Sequence, residues 1–348
     1  MLLFVDGCDK PPIERGWTGG VDPNPTAGRF GGGAYQMPTS NSTTFTHGFT
    51  ASETVYIGFA YRAWNEGTNN RSPILQLLDA STGLSLITLW HVRPSGQLAV
   101  DLLTNGTRVE AAVSSSAGVL LNAYSFIEVG MRCHSTEGWI EVRTQGDPTP
   151  VIRLEGINTL RSTMTSGAIG SLQFWQNFTT FPEGRYYVDD IYVTDNNTSV
   201  LPAGFIGDCR VNVLTPIADT DVNEWVPSAG TSHFAMVDEP TTDIDATYLQ
   251  TTEIGRRELF GMSQLTDLPD AIHAIAVNWS SKKTNAGNTR TAGLIRSGEN
   301  LASGTAYPSL SSYVMRQNCF GRNPAGNSQW TMTSVNAIAA GFETQGTG

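Results

Sequence analysis

The chain is short of charge. Asp, Glu, Lys and Arg make up 15% of its 348 residues, against about 25% in ordinary soluble domains. Its solvated surface must therefore be built largely from Ser, Thr, Asn, Gln and Gly, a makeup common in extracellular β-proteins. Cations are scarcer than anions: 21 Lys and Arg against 32 Asp and Glu give a net charge of −11. Binding to phosphate polymers needs clustered cations. The densest pairs, Arg256-Arg257 and Lys282-Lys283, read as solvated turn residues, so nucleic acid is not expected as a partner. No apolar run approaches the roughly 18 residues that cross a bilayer, and no membrane span is expected. The N-terminal "MLLFVDGCD" offers five apolar residues before Asp6, too few for a secretory signal. The expectation is synthesis in a cytoplasm without a standard export signal.

Chemistry-bearing motifs are also missing. The four cysteines, Cys8, Cys133, Cys209 and Cys319, lie far apart and form no CxxC. They read as free thiols, with disulfides left open, and at no zinc spacing. The histidines, His47, His91, His134, His233 and His273, are isolated. No GxSxG presents a nucleophile, and no GxxxxGK[ST] cradles phosphate. "GRFGGGAYQM" holds a glycine run without a following helix, so those glycines serve tight turns and close strand approach. No catalytic and no cofactor-binding residue emerges.

What the sequence has is period-2 alternation. In "TVYIGFAYRAW", Val55, Ile57, Phe59 and Tyr61 face one way, while Thr54, Tyr56, Gly58, Arg62 and Trp64 face the other, as in a half-buried strand. "LSLITLWHV" and "QLAVDLL" follow, joined by the turn "RPSG". Asn105-Gly106 is a strong two-residue hairpin signal. "AYSFIEVGMRC", "GWIEVRTQG", "TPVIRLEG", "IGSLQFWQ" and "RYYVDDIYVTD" continue a meander with turns between, the spacing of an all-β sandwich. Polar, then Pro- and Gly-bearing sequence after Asp195 marks a boundary. The reading is a sandwich over 1–197, a linker over 198–207 and a smaller β-rich module over 208–348. In that module "DCRVNVLTPIAD", "HFAMVDE", "HAIAVNWSSKK", "TAGLIRSG", "SSYVMRQN" and the terminal segment read as strands, and "GRRELFGMSQL" as a short helix.

The ordered stretches "LLFVDGCD", "GRFGGGAYQM", "VYIGFAYR", "GWIEVRTQG", "TPVIRLEGINT" and "YYVDDIYVTDNN" resemble the concanavalin A-like lectin/glucanase (LamG-like) modules of bacteriophage virion proteins. "FIGDCRVNVLTPIADTDVNEWVPSAGTSHFAMVDE" and "WTMTSVNAIAAGFE" look like the second module that follows them. The resemblance implies a jelly-roll sandwich with a non-enzymatic, structural role in a phage particle, as capsid decoration or a peripheral tail or tail-tip part. It would be assembled in the host bacterial cytoplasm, pack against other virion proteins and form a homo-oligomer. The alternative is a carbohydrate-binding adhesin that recognises a host surface glycan.

The fold family includes glucanases. Retaining glycosidases set two carboxylates about 5 Å apart, and laminarinase-like enzymes place them as Glu-x-Asp-x-x-Glu on one strand. That pattern is absent. Calcium at the sandwich rim is a minor option, through the acidic runs "DTDVNE" and "DEPTTDID". For a glycan the candidate contacts are Tyr56, Arg62, Trp64, Trp90 and Trp175. Asp189 and Asp190, adjacent in "YYVDDIYV", read as structural. Strict alternation would turn them to opposite faces, one of them capping backbone N–H groups of a neighbouring strand or loop.

Overall fold

Alternating apolar residues become antiparallel, paired strands throughout the chain. The computed structural model describes residues 1–37, 43–63, 71–104, 107–161, 167–176, 186–199, 201–239 and 241–346. They fall into two units: Met1–Ile13 with Trp17–Val211, and Glu14–Gly16 with Asn212–Gly348.

The first unit is a concanavalin A-like jelly-roll sandwich. Its strands are β1 (Leu2–Asp6), β2 (Thr18–Gly19), β3 (Asp22–Asn24), β4 (Ala34–Met37), β5 (Thr43–Ser52), β6 (Thr54–Ala63), β7 (Arg71–Asp79) and β8 (Ser85–Val92). They continue with β9 (Gln97–Thr104), β10 (Thr107–Ala117), β11 (Ser125–Arg132), β12 (Gly138–Thr144), β13 (Ile152–Ile157), β14 (Ile169–Gln176) and β15 (Tyr186–Asp195). One sheet runs β13-β12-β11-β6-β15-β4-β3, with β1 also paired to β15; the other runs β10-β9-β8-β7-β14-β5-β2. Val55, Ile57, Phe59 and Tyr61 of β6 all face the core, each at most 2% exposed. Opposite them the second sheet offers Phe45, Leu75, Leu77, Ile87, Leu89, Val100, Leu172 and Phe174. Burying each such side chain stabilises by about 1.5–3 kcal/mol, so this inner layer decides the register of both sheets. The four cysteines are free thiols. The Asn105-Gly106 turn lies outside the described residues, between paired strands β9 and β10.

The residues read as a linker, 198–207, carry hydrogen bonds to the sandwich. Gly204 N–H donates to Asp195 O at 2.9 Å, Thr194 Oγ1 donates to Gly204 O at 2.6 Å, and Gly207 N–H donates to Glu128 Oε1 at 2.9 Å. From 201 to 211 the chain forms a strap over the outer face of the first sheet.

The second unit has a sheet ordered Pro216–Asn223, Arg257–Met262, Ile338–Gln345, Arg290–Ser297, Asn300–Ser303, with Tyr307–Pro308 also on Arg290–Ser297. Ile275–Ser281 and Val314–Phe320 form a separate pair. Trp279, Ile295, Phe320, Trp330 and Ile338 build its core. Three local expectations fail here. Only the end of "DCRVNVLTPIAD" is strand, from Pro216, because the stretch before it is drawn onto the first unit, where Val211 N–H donates to Asp190. Arg257–Met262 is a strand and not a helix, because pairing with Ile338–Gln345 on one side and Pro216–Asn223 on the other outweighs helix propensity. "HFAMVDE" holds a 3-10 turn, Phe234–Met236, in place of a strand. Asp219 accepts hydrogen bonds from His233 N–H at 3.1 Å and Phe234 N–H at 2.6 Å, which fixes the turn.

Candidate functional site

The five aromatic and basic candidates do not form one site. Tyr56 and Arg62 lie on β6 and point out of the first sheet, because their neighbours Val55, Ile57 and Tyr61 point in. Trp90 on β8 and Trp175 on β14 point out of the second sheet, on the far side of the core. Trp64 lies outside the described residues.

The outer face of the first sheet is occupied by its own chain. Phe205, on the strap, meets Tyr56 edge-on at 4.8 Å between ring centroids, and the Arg143 guanidinium lies 4.1 Å from the Phe205 ring centroid. Gly130 beneath makes room, since a Cβ there would come within 2.7 Å of Phe205 Cζ. Tyr192 Oη donates to the buried Glu128 carboxylate and accepts from Ile206 N–H at 3.2 Å. Arg62 is stacked, 4.8 Å from the Tyr124 centroid and 4.3 Å from that of Tyr187. Tyr56 and Arg62 therefore hold structure together and offer no open platform.

Asp189 and Asp190 are part of the same closure. The register of β15 against β6 slips between Asp189 and Tyr192, and Asp190 has φ +51°. That is a β-bulge, with Asp in the left-handed region it tolerates better than most residues. The bulge overrides the alternation that would send the two carboxylates apart. Asp189 Oδ2 accepts from Arg29 N–H at 2.7 Å. Asp190 Oδ1 accepts from Val211 N–H at 2.8 Å. Arg29 in turn clamps Asp208 through Nη1 and Nη2, at 2.5 and 2.6 Å. Burial pushes the Asp189 carboxyl up to about 6, against the lowering effect of its N–H donors. Burial and then the charge of Asp189 push Asp190 up to about 7. Nearby, Asp6 accepts from Cys8 N–H, Trp17 Nε1 and Tyr35 Oη, at 2.8–2.9 Å.

The outer face of the second sheet is built differently. Glu110 pairs across to Asp101, Asp101 to Thr88, Thr88 to Gln76, Gln76 to Gln173, Gln173 to Thr46, and Thr46 to Thr18. Directly paired residues share a face, so each of the seven strands contributes one polar side chain to a single row across the sheet. Gln76 Nε2 donates to Thr88 Oγ1 at 3.0 Å, and Gln173 Nε2 to Thr46 Oγ1 at 2.9 Å. Arg71 pairs with Glu110 and approaches Asp101 at 3.8 Å.

Trp90 and Trp175 stand two residues further along their strands from Thr88 and Gln173, beside this row. Their ring centroids are 5.8 Å apart at 64°. Both rings are partly exposed. Arg108, on edge strand β10 and paired with Leu103, starts on the opposite side of the row. Its guanidinium ends 4.7 Å from the Trp175 centroid and 5.8 Å from that of Trp90. Gln76 and Thr88 are buried, at 5% and 1% exposed, whereas Gln173 is partly exposed, so the arrangement sets partly exposed indoles beside the Gln173 amide. Sequence reading found the two tryptophans and missed Arg108, Gln76, Thr88 and Gln173. Alternation marks these as outward residues, but only cross-strand register puts them in one row.

Among the described residues no group of three or more His, Cys, Asp or Glu side chains is placed to hold a metal ion. The acidic runs weighed for calcium are engaged otherwise. Asp219 caps the 3-10 turn, Asp243 Oδ2 accepts from Thr247 Oγ1 at 2.7 Å, and Asp245 Oδ1 accepts from Lys282 Nζ at 2.5 Å and from Tyr313 Oη at 2.8 Å. Among the described residues no helix is long and apolar enough to cross a membrane.

No family model matches the chain, and no curated protein does. Solved structures do. Carbohydrate binding module CBM66 from Bacillus subtilis is 10% identical with a TM-score of 0.33, over 51% of this chain and 93% of that one. The carbohydrate esterase from Shiga toxin-encoding bacteriophage phi24B is 10% identical with a TM-score of 0.38, over 55% and 98%. Alginate lyase A1-II', of polysaccharide lyase family 7, is 11% identical with a TM-score of 0.33, over 46% and 79%. These are low-identity likenesses between sandwich folds. They correct one expectation: an esterase and a lyase are among the sandwiches that match, so the missing Glu-x-Asp-x-x-Glu pattern does not make this chain a non-enzyme. The fold by itself assigns it no activity either.

Proposed function

We propose that the protein binds carbohydrate on the outer face of the second sheet. The observation that carries this reading is the Trp90–Trp175 pair beside a continuous polar row. A sugar ring has apolar C–H faces and a rim of hydroxyls. Indole faces take the first, and the partly exposed Gln173 amide beside them suits the second. The resemblance of the sequence to virion modules supports a setting on a particle surface, where this face would recognise a host glycan. Immunogold labelling of particles would test that setting, and unlabelled particles would remove it.

The binding itself is tested by affinity electrophoresis and tryptophan fluorescence titration of the full chain. The probes are neutral and uronate-containing polysaccharides. Retardation by at least one polymer is expected, lost in Trp90→Ala/Trp175→Ala. No retardation by any polymer, or retardation unchanged in the double variant, overturns the reading.

A further inference from the structure

We infer that Arg108 makes this face selective for acidic sugars, specifically those carrying a carboxylate, by exchanging its tryptophan contacts for the sugar's carboxylate. The inference rests on the carbohydrate-binding reading above and names the ligand class of the same face. Three observations carry it.

First, the Arg108 guanidinium occupies the surface that a sugar ring would need, 4.7 Å from the Trp175 centroid and 5.8 Å from that of Trp90. A ligand that stacks there must displace it. Second, no ion pair or hydrogen bond ties the Arg108 side chain among the described residues, whereas its neighbour Arg71 is held by Glu110 and Asp101. Arg108 is thus held by its ring contacts and the longer-range attraction of Asp101, with no direct ion pair to break. Third, a guanidinium presents a planar fork of N–H donors that a carboxylate matches with two parallel hydrogen bonds.

These features give a selection rule. A neutral sugar that displaces Arg108 breaks its cation–π contacts and returns nothing to the guanidinium. A uronate ring takes the indole face and gives the displaced cation a charged acceptor. The carboxylates on this face, Asp101 and Glu110, are met by Arg71, and charges more than about 8 Å away are screened at physiological salt.

The test uses the full chain with polygalacturonate, alginate and glucuronan, each compared with its own carboxyl-reduced form and with dextran sulfate. Wild-type protein is expected to bind at least one uronate polymer about tenfold or more tightly than the reduced form. Arg108→Gln should lower uronate affinity by about tenfold and leave affinity for the reduced form equal or higher. Arg108→Lys keeps the charge without the fork and should behave nearer to Gln than to Arg. Arg153→Gln, an exposed ion-pair residue of the first sheet, should change neither affinity. Melting curves confirm that each variant is folded.

Equal binding of uronate and reduced polymers overturns the carboxylate assignment while the sugar-binding reading stands. So does binding of neutral polymers alone, a parallel loss of both affinities in Arg108→Gln, or dextran sulfate competing as well as the uronate. Binding of no polymer of any kind removes both readings together.

Discussion

Tyr56 and Trp90 sit on opposite outer faces of one sandwich, and their neighbourhoods have opposite characters. Around Tyr56 the chain returns on itself: the strap from 201 to 211 lays Phe205 over the ring and hands backbone N–H groups to Glu128 and Asp190. Around Trp90, among the described residues, the Arg108 guanidinium lies over two indoles. The same residue types, aromatics and arginines, are covered by a backbone segment on one face and by an arginine side chain on the other. What separates them is whether a segment of backbone has been spent covering them. Residue identity alone does not say which face is the functional one.

The comparison yields graded predictions. The largest loss is expected from uncoupling the strap at its buried polar anchor. Glu128→Ala strands Tyr192 Oη and Gly207 N–H, and should cost about 2–4 kcal/mol in denaturant unfolding. A loss below 0.5 kcal/mol, as an approximate threshold for surface changes, would show the strap to be ornamental. Phe205→Ala should come next, at about 1–3 kcal/mol, because the ring is only partly buried.

The pH dependence follows from Asp189 and Asp190. Their folded pKa values, about 6 and about 7, lie above the ordinary 3.8. The folded state therefore binds protons more tightly than the unfolded chain between those limits. Their contribution to stability is fully present below about pH 4 and is lost as pH rises through 6 to 7. Melting temperature should fall across that window, by an amount on the order of a few kcal/mol in stability. Asp189→Asn/Asp190→Asn should flatten the fall, and an unchanged profile in the double variant would place the effect elsewhere.

The smallest effects are expected on the second sheet. Gln173→Ala should cost about 1 kcal/mol or less and Arg108→Gln less still, while each changes sugar binding. If Gln173→Ala were as damaging as Glu128→Ala, the two faces would not differ as argued.

The layers of the sandwich were legible because its inner residues alternate without a break: Val55, Ile57, Phe59 and Tyr61 are buried as the period-2 pattern requires. The pattern failed where a single residue interrupts it. Asp189-Asp190 looks regular in sequence, and the bulge appears only through the register of β15 against β6. The polar row was invisible for a related reason. Glu110, Asp101, Thr88, Gln76, Gln173, Thr46 and Thr18 are scattered over more than 150 residues and meet only through six pairings. Strand Arg257–Met262 was misread because its partners lie far along the chain, and a local window holds no trace of them.

The strap has a mechanical consequence. It is the last stretch of the first unit before the chain continues at Asn212. Tension applied from that side reaches the Val211–Asp190 hydrogen bond first, then the Asp208–Arg29 clamp, then Gly207 on Glu128, and last Gly204 on Asp195. These attachments are loaded one after another, as in peeling. The β15–β6 pairing beneath carries load only after they yield. The strap's attachments thus lie in chain order, so release from the Asn212 side would meet them one by one before the β15–β6 pairing.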